Sequence, residues 1–208
     1  MFKSTAKLKK LRIEFYKREN VVLIARQLVG KIITTNIEGI ITSGRIVETE
    51  AYMGITDKAS HAFAGRRTAR NEHIYGSPAT SYVYICYGIH HLFNVVTNKK
   101  DIPHAVLIRA VEPLQGIADM LIRTGKKDLD DSLTRGPGNA AKALGINKLH
   151  SGFNLLGESI FISEDDCKIP DEMVVSSPRI GVDYAAEDAA LPYRFYVKGC
   201  RYVSGKPK

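Results

Sequence analysis

The sequence predicts an α+β domain on a curved, largely antiparallel β-sheet, with surrounding helices and a protruding β-hairpin. Three observations carry this. Segments rich in Val, Ile, Thr and Tyr outnumber helical ones. They come as consecutive pairs joined by short turns, not as the strand–helix–strand alternation of a parallel sheet. Finally, 208 residues, 44% of them hydrophobic, supply one core of ordinary size, so a single domain spanning 1–208 is expected.

The elements follow in order. Asn20, an apolar run to Val29 and then Gly30 read as a short helix, with Asn20 as N-cap and Gly30 just past its end. Lys31–Thr35 and Gly39–Tyr52 form a hairpin around a turn at Asn36–Gly39. Met53–Pro78 lacks periodicity and reads as a long loop, which in a compact domain usually serves function. Thr80–Cys86 is a strand, Tyr87–His90 a turn, His91–Thr97 the returning strand and His104–Val111 a further strand. Pro113–Arg123 reads as a helix opened by proline, and Arg135–Asn139 leads into a helix at Ala140–Leu144. Ile160–Ser163 and Arg194–Lys198 close the chain as short strands.

The net charge of +8 suggests a polyanionic partner (nucleic acid, an anionic membrane surface or a phosphorylated ligand) or a solvated basic surface that only aids solubility. Basic residues gather at Lys3, Lys7, Lys9, Lys10, Arg12, Lys17 and Arg18, at Arg66, Arg67 and Arg70, at Lys99-Lys100, and at Arg123 with Lys126-Lys127. Acids gather at Glu164–Asp166 and Asp171-Glu172, a segregation that suits one basic face. Cys86, Cys167 and Cys200 are odd in number and widely spaced, which points to free thiols in a reducing compartment and to no metal site. No signal-peptide core and no transmembrane-length apolar run occur, and Glu14 interrupts the basic stretch Lys7–Tyr16, so no membrane partner is expected.

Three constellations can carry chemistry. In Gly44–Tyr52 (GRIVETEAY), strand alternation puts Ile46, Glu48, Glu50 and Tyr52 on one face. Two carboxylates beside an aromatic fit an acid/base site, a glycoside-hydrolase pair, or simply two solvent-facing acids. In Tyr82–Gly88, Tyr82 and Tyr84 share a face, with packing the favoured role of Tyr82. Tyr87 stands at the hairpin tip, either as packing or as a wedge between bases. Gly65–Asn71 offers Arg, Thr and Asn as phosphate ligands, or is a solvated loop. Gly136-Pro137-Gly138 reads as a tight turn before a helix rather than a phosphate cradle.

Taken together, GRIVETEAY, His61, RRTARN (Arg66–Asn71), YVYICYGIHHLFNVV (Tyr82–Val96), VLIRAVEP (Val106–Pro113), RGPGNAAKALGI (Arg135–Ile146) and RIGVDYA…PYRFYVKG (Arg179–Gly199) resemble the alkyladenine (3-methyladenine) DNA glycosylases, the type not built on a helix-hairpin-helix. The resemblance covers nearly the whole chain. It implies that Glu50 deprotonates a water, with Arg109 and the Val182 carbonyl holding that water. It implies that Tyr52, His61 and Tyr84 enclose a flipped base, that Asn94 screens it, and that Tyr87 fills the gap left in the duplex. Arg66, Thr68 and Arg70 would contact phosphates. His90-His91 depart from the pattern by making the turn more polar. The expected partner is double-stranded DNA carrying a damaged purine, and no cofactor is expected. The short chain suits a bacterial, cytoplasmic, nucleoid-associated protein acting as a monomer. The competing reading is a non-catalytic nucleic-acid-binding module.

Overall fold

The computed structural model describes residues 8–205 and bears out the α+β reading. Lys3 and Lys7 of the N-terminal basic cluster lie outside the described residues. The strand β1 (Lys9–Lys10) and the one-turn helix α1 (Ile13–Tyr16) come first. Tyr16 is fully buried in the core, so this stretch is anchored in the protein itself. In α2 (Val21–Leu28), the Asn20 side chain accepts the Leu23 N–H at 2.9 Å, and Gly30 follows the C-cap at φ 93°, as expected. Val21, Ile24, Ala25 and Leu28 form its buried face at helical spacing.

The strands β2 (Ile32–Ile37) and β3 (Ile40–Tyr52) turn at Glu38 and Gly39, with φ of 54° and 79°. Two consecutive positive φ values match the right-handed twist of the flanking strands. The long loop holds three 3-10 turns, at Gly54–Thr56, Phe63–Gly65 and Glu72–Tyr75. β4 (Ser81–Cys86) and β5 (His90–Thr97) form the second hairpin, and β6 (His104–Gln115) follows.

Here two expectations are corrected. Pro113 opens no helix, because β6 keeps pairing with β3 as far as Gln115 opposite Ser43. Pro113 sits opposite Gly44 at a register shift, where a missing ladder N–H is tolerated. Gly116, at φ 73°, then ends the strand, and any Cβ there would collide with the Ile41 carbonyl. So α3 begins later (Ile117–Thr124), and α4 (Pro137–Ala143) begins earlier than predicted, with proline in its first turn. β7 (Ile160–Glu164), β8 (Val174–Ser177) and β9 (Arg194–Val197) complete the sheet.

Every ladder is antiparallel, in the order β1-β7-β2-β3-β6-β5-β4, with β9 added to β3 and β8 to β9. β3 is the hub. On one side β2 pairs with its first half and β9 with Glu48–Glu50, while β6 runs along its other side. The main core gathers Ile24, Leu28, Ile33, Phe93, Ile108, Met120 and Leu144. Two smaller clusters join the loop and the segment after β8 to the strand ends: Ala62, Ile74, Tyr75 and Tyr82 in one, Ala59, Val182 and Ala185 in the other. No helix among the described residues is long and apolar enough to cross a membrane.

Candidate active site

β3 and β6 slip register around Glu48, leaving Val47 and Arg109 without a partner across the ladder. Such irregularities re-aim side chains. Arg109 reaches both acids of β3: Nε donates to Glu48 Oε1 at 3.0 Å and Nη1 to Glu50 Oε2 at 3.2 Å. Both carboxylates have no exposed surface, which overturns the reading of two solvent-facing acids.

The two acids have different company. Glu48 accepts from Arg109 Nε, from Arg194 Nε at 2.7 Å, and from the Ser204 N–H and hydroxyl at 2.7 and 2.8 Å. Like Glu50, it does not itself line the cleft described below, and its four donors against three on Glu50 separate the two acids. Glu50 Oε2 accepts from Tyr52 Oη at 2.9 Å and from Arg109, and Oε1 accepts the Ile180 N–H at 2.8 Å. A carboxylate oxygen has two lone pairs, so Oε1 can take one more donor. Burial and the Glu50 charge push the Tyr52 phenol well above its usual pKa, which keeps it a donor. Burial opposes the Arg109 charge, but Glu50 and Glu48 outweigh it and hold the guanidinium above its ordinary value.

Beside this carboxylate opens a cleft of about 550 Å³, within the range of small-ligand sites. Tyr52, His61, Tyr84, Asn94, Arg109 and Val182 line it, with Arg70 and Tyr87 at its wall. Glu50 lies behind that wall and communicates with it through Tyr52 and Arg109. The aromatic side is tightly coupled. His61 Nδ1 is 2.8 Å from Tyr82 Oη, its ring meets Tyr84 edge-on at 4.5 Å, and Tyr82 and Tyr84 stack at 5.6 Å. Tyr82, expected only to pack, both packs and lines the cleft. Burial, with Arg70 and Arg66 nearby, lowers the His61 pKa, so the imidazole is neutral near pH 7. Asn94 is buried, and its Nδ2 donates to the Tyr82 carbonyl at 3.1 Å, which fixes its orientation. The Val182 carbonyl accepts the Ala185 N–H at 2.8 Å and retains one lone pair.

Tyr87 is 88% exposed at the hairpin tip, with φ 51° followed by Gly88 at 74°. In the adjacent loop Arg66, Thr68 and Arg70 are exposed, and Arg70 Nη2 donates to the Ile85 carbonyl at 2.9 Å. Arg66 and Thr68 stand outside the cleft wall. Two residues grouped with them serve the loop instead. Asn71 is buried, donates to the His61 and Arg66 carbonyls at 2.9 Å each and accepts the Thr68 N–H. Arg67 pairs with Glu72 and Asp101 and lies 4.6 Å over the Tyr75 ring. His90 abuts α4, where a Cβ on Gly138 would meet its Nδ1 at 2.8 Å.

Several working residues had no local signal. Arg179 bonds the Ala51 carbonyl at 2.9 Å and forks onto Asp57 at 2.6 and 2.9 Å, which delivers the Ile180 N–H to Glu50. Arg194 and Ser204 become visible only once β9 lies against β3. Tyr184, 70% exposed, stands at the cleft and donates to the Ala59 carbonyl at 3.2 Å. Gly136–Asn139, read as a plain turn, also form cleft wall.

The family model described as methylpurine-DNA glycosylase matches residues 14–201. Curated relatives carry the name "Putative 3-methyladenine DNA glycosylase". The one from Clostridium perfringens (strain 13 / Type A) is 42% identical over 201 residues, 93% of this chain and 98% of its own. That from Desulfitobacterium hafniense (strain Y51) is 44% identical over 206 residues, 96% and 100% of the two chains. A Chlamydia pneumoniae relative reaches 47% identity over 187 residues, 89% and 93% of the two.

Proposed function

The chain belongs to the methylpurine-DNA glycosylase family, whose members hydrolyse N-glycosyl bonds in DNA, and from that premise we propose that it releases alkylated and deaminated purines from duplex DNA through a water activated by Glu50. The observation that carries this is a buried carboxylate held by Arg109, Tyr52 and the Ile180 N–H behind an aromatic cleft, next to an exposed tyrosine tip.

A stacked base hides its glycosidic bond, so the nucleotide swings out into the cleft at a cost of a few kcal/mol. Tyr87 fills the gap. Stacking on Tyr52, Tyr84 and His61, worth ~1–3 kcal/mol per base, holds the extruded base. Alkylated purines carry positive charge that tyrosine faces attract, and weakly paired lesions flip at lower cost. A water bound by Glu50, Arg109 and the Val182 carbonyl attacks C1′. Its proton passes to Glu50, the C1′–N bond breaks, and the bonding electrons go to the base: a cationic alkylated purine leaves neutral, and a neutral lesion such as hypoxanthine leaves as an anion that takes up a proton. The products are a free purine and an abasic site. Arg66, Thr68 and Arg70 hold phosphates of the flanking backbone. The substrates are the class of 3-methyladenine, 7-methylguanine, hypoxanthine and ethenoadenine, met by a monomer on nucleoid DNA in the bacterial cytoplasm. The fully buried carboxylate pair, Glu48 with four donors and Glu50 with three, supports this reading over a binding module without chemistry.

Duplexes bearing one defined lesion, incubated with enzyme and then cleaved with alkali, test the proposal. Glu50→Gln should lower single-turnover base release by ~10²–10⁴-fold, the usual worth of a general base, while DNA binding persists. Near-normal release by this variant would sink the mechanism.

A further inference from the structure

Glu48 never reaches the cleft, yet it is the most heavily bonded acid beside Glu50. Its donors come from three places: Arg109 on β6, Arg194 on β9, and Ser204 beyond β9. Arg194 is registered opposite Glu50, and its Nη2 donates to the Ser204 carbonyl at 2.6 Å. Arg109 Nη2 donates to Ser204 Oγ at 3.1 Å. Two carboxylates and two guanidiniums thus form a neutral quartet, closed by one serine.

We propose that Glu48 is a positioning residue for the reaction: by engaging Arg109 through Nε, and being itself held by Arg194 and Ser204, it limits Arg109 to a single contact with Glu50. This rests on the reading of Glu50 as the base. Guanidinium and carboxylate otherwise pair through two parallel bonds. A second Arg109 bond would take the lone pair still free on Glu50 Oε1 and leave no site there for the proton of the water. Glu48 draws off part of the Arg109 charge and fixes its plane. The other charged or titratable groups facing Glu50 are Tyr52 on β3, Tyr84 on β4, and Arg179 and Tyr184 from the segment after β8. None of these four bonds Glu48.

The test measures kcat and KM for excision against pH in the full chain, Glu48→Gln, Glu48→Asp and Ser204→Ala, with Glu50→Gln alongside. In Glu48→Gln, the uncompensated charge of Arg109 and Arg194 acts on Glu50. Its acid limb should move to lower pH while the plateau kcat falls about tenfold or more at constant KM, as for other residues that orient a reacting group. Glu48→Asp keeps the charge and should keep the acid limb. Ser204→Ala should lower kcat a few-fold at constant KM and serves if Glu48→Gln does not fold. A lower melting temperature with kcat and acid limb unchanged overturns the proposal, as does an unchanged kcat in Ser204→Ala. If Glu50→Gln is inactive while Glu48→Gln keeps its profile, only this inference falls. If Glu50→Gln is active, the base assignment falls and takes this inference with it.

Discussion

Tyr87 is the residue whose conformation argues against its own identity. It holds φ 51° with no cover, where the turn geometry favours asparagine followed by glycine. A bulky residue in the left-handed region costs on the order of 1 kcal/mol. Tyr87→Asn should therefore raise the stability of the free protein by up to about 1 kcal/mol in denaturant unfolding. It should also weaken lesion capture, read by a fluorescent base opposite the tip. Loss of stability with unchanged base extrusion would make Tyr87 a packing residue. Asn94 gives the opposite case, a residue of fixed orientation at the cleft wall. Guanine differs from hypoxanthine by its 2-amino group, and on the proposed reading a rigid side chain there would reject it by clash. Asn94→Ser should raise release of 7-methylguanine relative to hypoxanthine, and an unchanged ratio would place Asn94 outside base selection. Tyr87 was legible in the sequence from the predicted hairpin tip, and Asn94 from the family resemblance of the returning strand. Ser204 was not, because nothing in a Ser-Gly-Lys tail signals a buried bond to Glu48.

At the scale of elements, the loop between β3 and β4 divides its arginines by task. All three are exposed, but Arg67 is engaged with Glu72, Asp101 and Tyr75, whereas Arg66 and Arg70 pair with no acid among the described residues. A phosphate contact adds about 0.9 to the slope of log K against log salt on B-DNA. Arg66→Ala and Arg70→Ala should each lower that slope by about this amount without altering lesion preference. Arg67→Ala should leave the slope alone and lower the melting temperature. Equal slope changes in all three would erase the division. Hairpins and the capped α2 were readable because their signals are local: turn residues, alternation, an asparagine before an apolar run. The helix expected from Pro113 failed for a non-local reason. Proline looks like a helix opener until β3 is seen to extend the ladder past it through a register shift at Gly44. β1 and β8 are too short to show a period.

At the scale of the molecule, three histidines set the response to acid. Burial lowers the pKa of His61, His104 and His150, with Arg70 and Arg66 adding to the effect at His61. Each is neutral when folded and takes a proton more readily when unfolded, so the unfolded chain binds more protons in mild acid. Their contribution is fully present above the unfolded pKa of about 6.5 and is lost as pH falls through the lower folded values. The denaturant midpoint should decline as pH drops from about 7 towards 5, and His104→Gln should flatten that decline. A midpoint that holds level would count against it. The aromatic wall of Tyr52, His61 and Tyr84 was reachable from the sequence only through the family resemblance, because its members sit on two strands and one loop, and the brace of Arg179, Arg194 and Ser204 exists only after distant segments meet. That brace bears on β3, which is laddered on both sides at Glu48–Glu50 while the Tyr87 tip is bonded only within its own turn. Amide hydrogens at Glu48 and Glu50 should thus exchange with solvent only through global opening, and those at Tyr87 and Gly88 almost freely. On the proposed reading, the backbone expected to exchange freely stands where the duplex would dock, and the protected backbone stands where the bond would be cut.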